Sequence, residues 1–165
     1  MASNTQRAEA FSQQLRRAHQ QLRDQLARIR GGLGGDEHVE TGLEVHCLAF
    51  CSALATHHGG EDDGMFAGLL DARPDLAPAI RNLIGDHAAI AAILGQVRAL
   101  TAQPKTTPAQ SLPKLHRELD GLAAIMELHF GYEERAISAA LDHGVPDTGW
   151  SRPVFRPAEP QRPAT

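Results

Sequence analysis

The chain has 165 residues, a mass of 17.8 kDa and a formal net charge of −4, which is the size of one domain with its own core. It has no run of about 18 apolar residues, and the polar segment Met1–Gln14 lacks the apolar stretch of a secretory signal. We therefore expect no membrane span and a cytoplasmic location. The acidic balance, without a dense Lys/Arg cluster, argues against a nucleic-acid partner.

Four segments with apolar residues three or four positions apart predict four amphipathic helices. They cover about 5–30, about 39–71, the segment between Pro74 and Thr101, and about 109–142. Aromatic residues are only 4% of the chain, and no β-branched alternation indicates a strand. We predict an all-α fold, an up-down-up-down antiparallel four-helix bundle.

The C-terminal segment has a different composition. Val145–Thr165 contains five prolines, which disfavour a helix. We therefore expect a bundle over residues 1–144 and an extended proline-rich tail over 145–165, with Trp150 and Phe155 available to dock it. No residue of this tail lies on a helix stripe, so we expect the tail to lie outside any functional site.

Nine histidines are many for a chain of this type, and each predicted helix carries one within its apolar stripe. A single buried histidine is more often a hydrogen-bonded core residue than a ligand. Here four histidines lie at similar depths, and two of them are followed at i+4 by a glutamate on the same helix face. Burial of such groups is costly unless they are paired or bound to a metal, so the pattern favours a metal site. The six residues are His19, His57, Glu61, His87, His129 and Glu133.

Four imidazoles and two carboxylates suit two borderline ions such as iron. Zinc is less natural, because a single zinc ion needs only three or four ligands. So much nitrogen disfavours calcium and magnesium.

The order of these residues resembles the hemerythrin-like, HHE cation-binding family. The matching stretches are RRAHQQLR, HHGGEDDGMF, LIGDHAAIAAIL and MELHFGYEERAI. The resemblance implies an oxygen-reactive, non-haem di-iron centre in a four-helix bundle. It implies that the six residues are ligands of two iron ions joined by an oxo or hydroxo group, with Glu61 and Glu133 as bridging carboxylates.

Two departures from the oxygen-carrying members affect the expected function. The carriers have two histidines four apart on the third helix, whereas Leu83 and Ala91 flank His87 at that spacing. The carriers also place the last carboxylate five residues after its histidine, which here is Glu134. We expect Glu133 instead, because i+4 lies on the stripe.

Neighbouring residues leave alternatives open. His58 is either an additional ligand, a group that hydrogen-bonds to a ligand, or neither, because it points about 100° away from His57. Tyr132 either contacts the centre or packs. Cys47 and Cys51 are expected to pack as small apolar groups, with redox sensing as the alternative.

Several functions fit these features. Without a fifth histidine both irons would keep open positions, which favours redox turnover of O₂, hydrogen peroxide or NO over oxygen transport. We expect a protective, peroxide-disproportionating protein of the oxidative stress response, similar to a di-iron catalase, although the sequence leaves open whether it is an enzyme. The alternatives are a module that binds or senses O₂, NO or iron, and a di-iron oxygenase. The expected partner is a small diatomic ligand or peroxide, without a membrane or a known partner protein.

Overall fold

The structure is a computed structural model that describes residues 9–32, 40–102 and 108–158. These residues are mostly helical and contain no strand, so the predicted all-α class is confirmed. The helices are α1 (Phe11–Gly32), α2 (Glu40–Gly60), α3 (Phe66–Ala72), α4 (Ala77–Thr101), α5 (Pro108–Leu141) and α6 (Ser151–Phe155). A π-helical turn at Glu61–Met65 joins α2 to α3, and a 3-10 turn at Pro74–Leu76 precedes α4.

Four long helices enclose a common interior. Helix α1 contacts α2 and α5, and α4 also contacts α2 and α5. This arrangement is consistent with a helical bundle, whereas the up-down-up-down order stays a prediction.

The buried side chains form two apolar clusters with a polar layer between them. On α1, Leu15 belongs to one cluster and Leu22 to the other, with His19 between them. On α4, Leu83 and Ile90 flank His87 in the same way. The histidines therefore lie in a layer between the two apolar clusters, as their position in the middle of each stripe indicates.

The second predicted helix is interrupted, although its stripe continues. The π-helical turn adds a residue to one turn, and Glu61 and Met65 are the buried residues of this turn. Single π-helical turns are common at functional sites, and this one begins at a predicted ligand. Helical periodicity alone did not predict it.

The C-terminal segment docks on the bundle through Trp150 and Phe155, as expected, but residues 151–155 are helical and not extended. Its residues Val145, Trp150, Val154 and Phe155 are buried in one of the apolar clusters. Residues 151–155 form α6, in which Pro153 occupies the first turn. The first turn does not need its backbone N–H groups for intrahelical bonds, so proline is tolerated there. The rest of the predicted tail, residues 159–165, lies outside the described residues.

This C-terminal strap, defined here as Val145–Phe155, lies against three glycines spaced four residues apart. A Cβ on Gly60 would lie 2.9 Å from Cγ2 of Val154, and one on Gly64 would lie 2.6 Å from Cβ of Trp150. A Cβ on Gly68 would lie 2.9 Å from Cγ1 of Val145. Glycine in a helix costs about 1 kcal/mol relative to alanine, and the close approach of the strap explains why it is present here.

One helical segment of the described residues, which contains α4, has the length and composition of a membrane span. The segment Pro74–Thr101 is long and apolar enough to cross a membrane. One such helix is weak evidence for a membrane span, and the apolar stripe of α4 from Ile80 to Val97 is buried in the core.

Candidate metal centre

The polar layer contains seven side chains, none more than 5% exposed. The structure brings together all six residues that the sequence predicted as ligands, and it adds His58. The seven are His19 on α1, His57 and His58 on α2, Glu61 in the π-helical turn, His87 on α4, and His129 and Glu133 on α5.

These side chains form two groups that could each hold an ion. The ligand atoms within each group lie within 4.8 Å of one another. The three-histidine group contains His58, Glu61, His87 and His129, and the two-histidine group contains His19, His57, Glu61 and Glu133.

Glu61 belongs to both groups, and its two oxygens point to different histidines. Oε1 lies 3.0 Å from Nε2 of His57, and Oε2 lies 3.2 Å from Nε2 of His87. This arrangement fits a carboxylate that bridges two metal ions.

The second carboxylate of the layer is Glu133, whereas Glu134 is turned outwards. Glu133 Oε2 lies 3.3 Å from Nε2 of His19 and 3.7 Å from Nε2 of His129, so it also stands between the two groups. The partly exposed Glu134 instead accepts a hydrogen bond from Nδ1 of His19 at 2.9 Å and lies 3.7 Å from the guanidinium of Arg23. This geometry supports Glu133 as the ligand, although ligation itself stays a prediction.

Four of the histidines are oriented by a partner at Nδ1. Asp62 accepts from His87 at 2.7 Å and Asp86 accepts from His129 at 3.2 Å. Glu134 accepts from His19, and the backbone carbonyl of Val154 accepts from His57 at 2.7 Å. An imidazole that donates from Nδ1 presents a lone pair at Nε2, and this arrangement is typical of metal-binding histidines.

The contacts inside the layer are incomplete without a cation. The Nε2 atoms of His87 and His129 lie 3.1 Å apart, so only one of the two can carry a proton and the other keeps a lone pair inside the layer. Several other buried polar atoms have no hydrogen-bond partner among the described residues. They are Nε2 of His19, His57 and His58, and both carboxylate oxygens of Glu61 and Glu133. Unpaired buried polar groups are costly, and this set of nitrogen and oxygen donors fits two transition-metal ions.

The electrostatics of the metal-free layer are uneven. Burial lowers the pKa of His19, but the carboxylate of Glu133 and that of Glu134 raise it further, to about 9. Burial and the positive charge of His87 lower the pKa of His129 to about 4. Burial and the negative charge of Glu61 raise the pKa of Glu133 to about 7. A proton therefore competes with a metal ion more strongly at His19 than at His129.

Ring stacking packs the histidines of the layer. Phe130 is fully buried and stacks on His19, with ring centroids 3.9 Å apart. His58 stacks on His87 with a centroid distance of 3.8 Å. These contacts fix ring planes and keep water away from the nitrogens.

His58 is the site residue that the sequence left undecided. Successive residues of a helix are about 100° apart, so Glu61 lies about 40° from His57 and His58 lies about 100° from it, on the same side. His58 and Glu61 are therefore about 60° apart on one side of the helix. This spacing allows His58 to join the layer, but its contacts with His87 on α4 and His129 on α5 depend on how the helices pack.

Tyr132 and the two cysteines are not part of either group. The Tyr132 hydroxyl lies 3.5 Å from the amide nitrogen of Asn82, and its ring packs against an apolar cluster. Cys47 and Cys51 are buried free thiols in the other cluster, and burial raises the pKa of both. Their surroundings support the packing role.

Comparison with known proteins agrees with this geometry. A family model described as the hemerythrin HHE cation binding domain matches residues 10–146. Comparisons with curated proteins and with solved structures found no match. The matched range covers most of the chain and contains all seven residues of the layer. The chain therefore belongs to the hemerythrin HHE cation-binding family, as its sequence motifs indicated.

Proposed function

We propose that the seven side chains hold two iron ions in unequal surroundings and that the protein binds a small diatomic ligand, O₂ or NO, at one of them. The position of His58 carries this proposal. It gives one group three imidazoles and Glu61, with Glu133 in reach of His129. The other group has two imidazoles and the same two carboxylates.

This asymmetry changes the function expected from the sequence. The preference for peroxide turnover depended on two equally open ions, since no second histidine accompanies His87. His58 supplies the missing imidazole from α2 instead of α4. One well-ligated ion beside one with fewer protein ligands is the arrangement expected of a reversible binder. Binding or sensing is therefore the favoured function, and peroxide turnover becomes the outcome that would contradict it.

The protein supplies orientation and a dry environment to the centre. When bound, two iron ions supply Lewis acidity and electrons for a small ligand. Asp62 and Asp86 hold the rings of His87 and His129, while Phe130 and the apolar clusters exclude water. A cytoplasmic location is part of this proposal, since proteins with this domain are typically soluble.

The direct test combines metal analysis with gas binding. We expect about two irons per chain, and a spectral change on exposing the reduced protein to O₂ or NO that is reversed under argon. With hydrogen peroxide we expect no more O₂ release than from an equal concentration of free iron. Sustained O₂ release that disappears in His87→Ala would refute the binding proposal and restore the catalytic one.

A pair of histidine variants tests the role of His58. His58→Ala removes the third imidazole of one group, so we expect the reversible spectral change to be lost and peroxide turnover to rise. His116→Ala is the control, because His116 is half exposed on α5 and lies outside both groups. Equal gas binding by the two variants would remove the observation on which the proposal depends.

A further inference from the structure

The C-terminal strap contacts the metal centre through a main-chain atom. The carbonyl oxygen of Val154 accepts a hydrogen bond from Nδ1 of His57 at 2.7 Å, and the contact is buried. A carbonyl oxygen can only accept, so this bond requires the proton of His57 on Nδ1. The lone pair at Nε2 then faces Oε1 of Glu61 at 3.0 Å, inside the two-histidine group.

The strap can lie this close because the glycines beneath it have no side chain. Gly60 lies beneath Val154, and an added Cβ there would lie 2.9 Å from Cγ2 of Val154 and 3.0 Å from Cγ of Pro153. Trp150 lies over Gly64, and its indole nitrogen donates to the carbonyl of Pro146 at 2.9 Å within the strap. Val154 N–H donates to the carbonyl of Trp150 at 3.2 Å, which links the fixed tryptophan to the residue that contacts His57.

We propose that the C-terminal strap is a positioning element of the metal centre, in which the Val154 carbonyl sets the tautomer and ring orientation of His57. The inference depends on the proposed metal centre, but Val154 itself lies beyond residue 146, where the family match ends. His19, His87 and His129 are held by carboxylates, whereas the acceptor for His57 is a neutral carbonyl. His57 is therefore oriented by a segment that does not belong to the four long helices.

Two neighbouring glycines provide a matched test in the full chain. Gly60→Ala places a methyl group against Val154 and Pro153, whereas Gly59→Ala meets nothing within 4 Å. The first readout is the proton position on His57, measured by ¹⁵N NMR in the metal-free protein. The second is the affinity for zinc, measured separately, because zinc at Nε2 would by itself leave the proton on Nδ1. Zinc is the probe because it is diamagnetic and binds the same donors.

We expect wild type and Gly59→Ala to keep the His57 proton on Nδ1. Gly60→Ala should lose that signature and bind zinc about 10–100-fold more weakly, the usual effect of removing such an orienting partner. The signals of His87 and His129, which the strap does not contact through hydrogen bonds, should keep their tautomers. Gly64→Ala, which displaces Trp150, should produce the same change at His57.

A backbone substitution covers the case in which the glycine variants fail to fold. Replacing Phe155 by its α-hydroxy acid turns the Val154 carbonyl into an ester, a weaker acceptor, without adding an atom near Gly60. Replacing Arg156 in the same way is the control, because it also removes a backbone N–H donor but leaves both the N–H and the amide carbonyl of Val154 in place. We expect only the first replacement to change the His57 signal and lower zinc affinity.

The outcomes distinguish a failure of the positioning role of the strap from a failure of the proposed metal centre. An unchanged His57 proton in Gly60→Ala and in the Phe155 ester would overturn the positioning role. A changed proton with wild-type zinc affinity would also overturn it. A wild-type protein that binds neither zinc nor iron, yet keeps its Nδ1 proton on His57, would instead overturn the metal centre on which the proposal depends.

Discussion

Glutamine substitutions at the adjacent residues Glu133 and Glu134 should have very different effects on metal binding. Glu133 is fully buried between the two groups, and both of its oxygens lack a hydrogen-bond partner among the described side chains. Glu134 orients His19 from outside the layer. Glu133→Gln should therefore remove a ligand that is shared by the two groups. Glu134→Gln should only weaken the hydrogen bond that orients the ring of His19.

The expected changes in stability follow from the coupling between metal binding and folding. At a free metal concentration of about 1,000 times the dissociation constant, binding stabilises the native state by about 4 kcal/mol. Loss of an orienting partner weakens binding about 10–100-fold, so Glu134→Gln should lose about 1.4–2.7 kcal/mol of that stabilisation. At about 3 °C per kcal/mol for a domain of this size, its Tm with metal should fall by about 4–8 °C.

Glu133→Gln should lose the metal-dependent stabilisation altogether, a fall of about 12 °C under the same conditions. Without metal, Glu133→Gln should not lower the stability of the folded protein. Burial and the charge of Glu61 raise the pKa of Glu133 to about 7, so the folded protein disfavours the ionised form. Glutamine resembles the protonated form, and the metal-free variant should be at least as stable as wild type.

The assay is iron content together with thermal unfolding, with and without added iron. We expect about two irons per chain in wild type and in Glu134→Gln at saturating metal, and fewer in Glu133→Gln. If Glu134→Gln loses the iron and Glu133→Gln retains it, the ligand lies five residues after His129, and the reasoning from the helix stripe is wrong.

Three further predictions follow from the same layer. Phe130→Ala should destabilise the protein by about 3–5 kcal/mol in chemical unfolding, whereas Leu128→Ala on the exposed side of α5 should change it by less than about 0.5 kcal/mol; equal effects would contradict the burial of Phe130. Glu61→Gln should lower the content of both irons together, and loss of one alone would contradict a shared bridge. His19 and His87 have a pKa of about 9 in the metal-free folded protein, against 6.5 in the unfolded chain. Their protonated rings therefore stabilise the folded state fully below pH 6.5, and this stabilisation is lost as the pH rises through 9. The metal-free Tm should accordingly fall between pH 7 and pH 9.5, and a flat or rising profile would contradict the assignment.

The sequence alone was sufficient for the fold class and for the six predicted layer residues. The reason is that both depend on one periodic signal. Apolar residues at three- and four-residue spacing define the buried face of each long helix, and a histidine such as His19 or His87 on that face must be buried with its neighbours. The family resemblance depended on the same spacing.

Tertiary structure alone decided which groups surround these residues. His58 joins the layer because its ring stacks on His87 of another helix, a contact that no single helix reveals. The docking of the strap through Trp150 and Phe155 was expected, whereas α6 and the contact of Val154 with His57 were not. Proline-rich composition argues against a helix, although Pro153 is tolerated in a first turn, and His57 lies 97 residues away in the chain. Contacts at such separations depend on how helices pack, and helical periodicity carries no information about them.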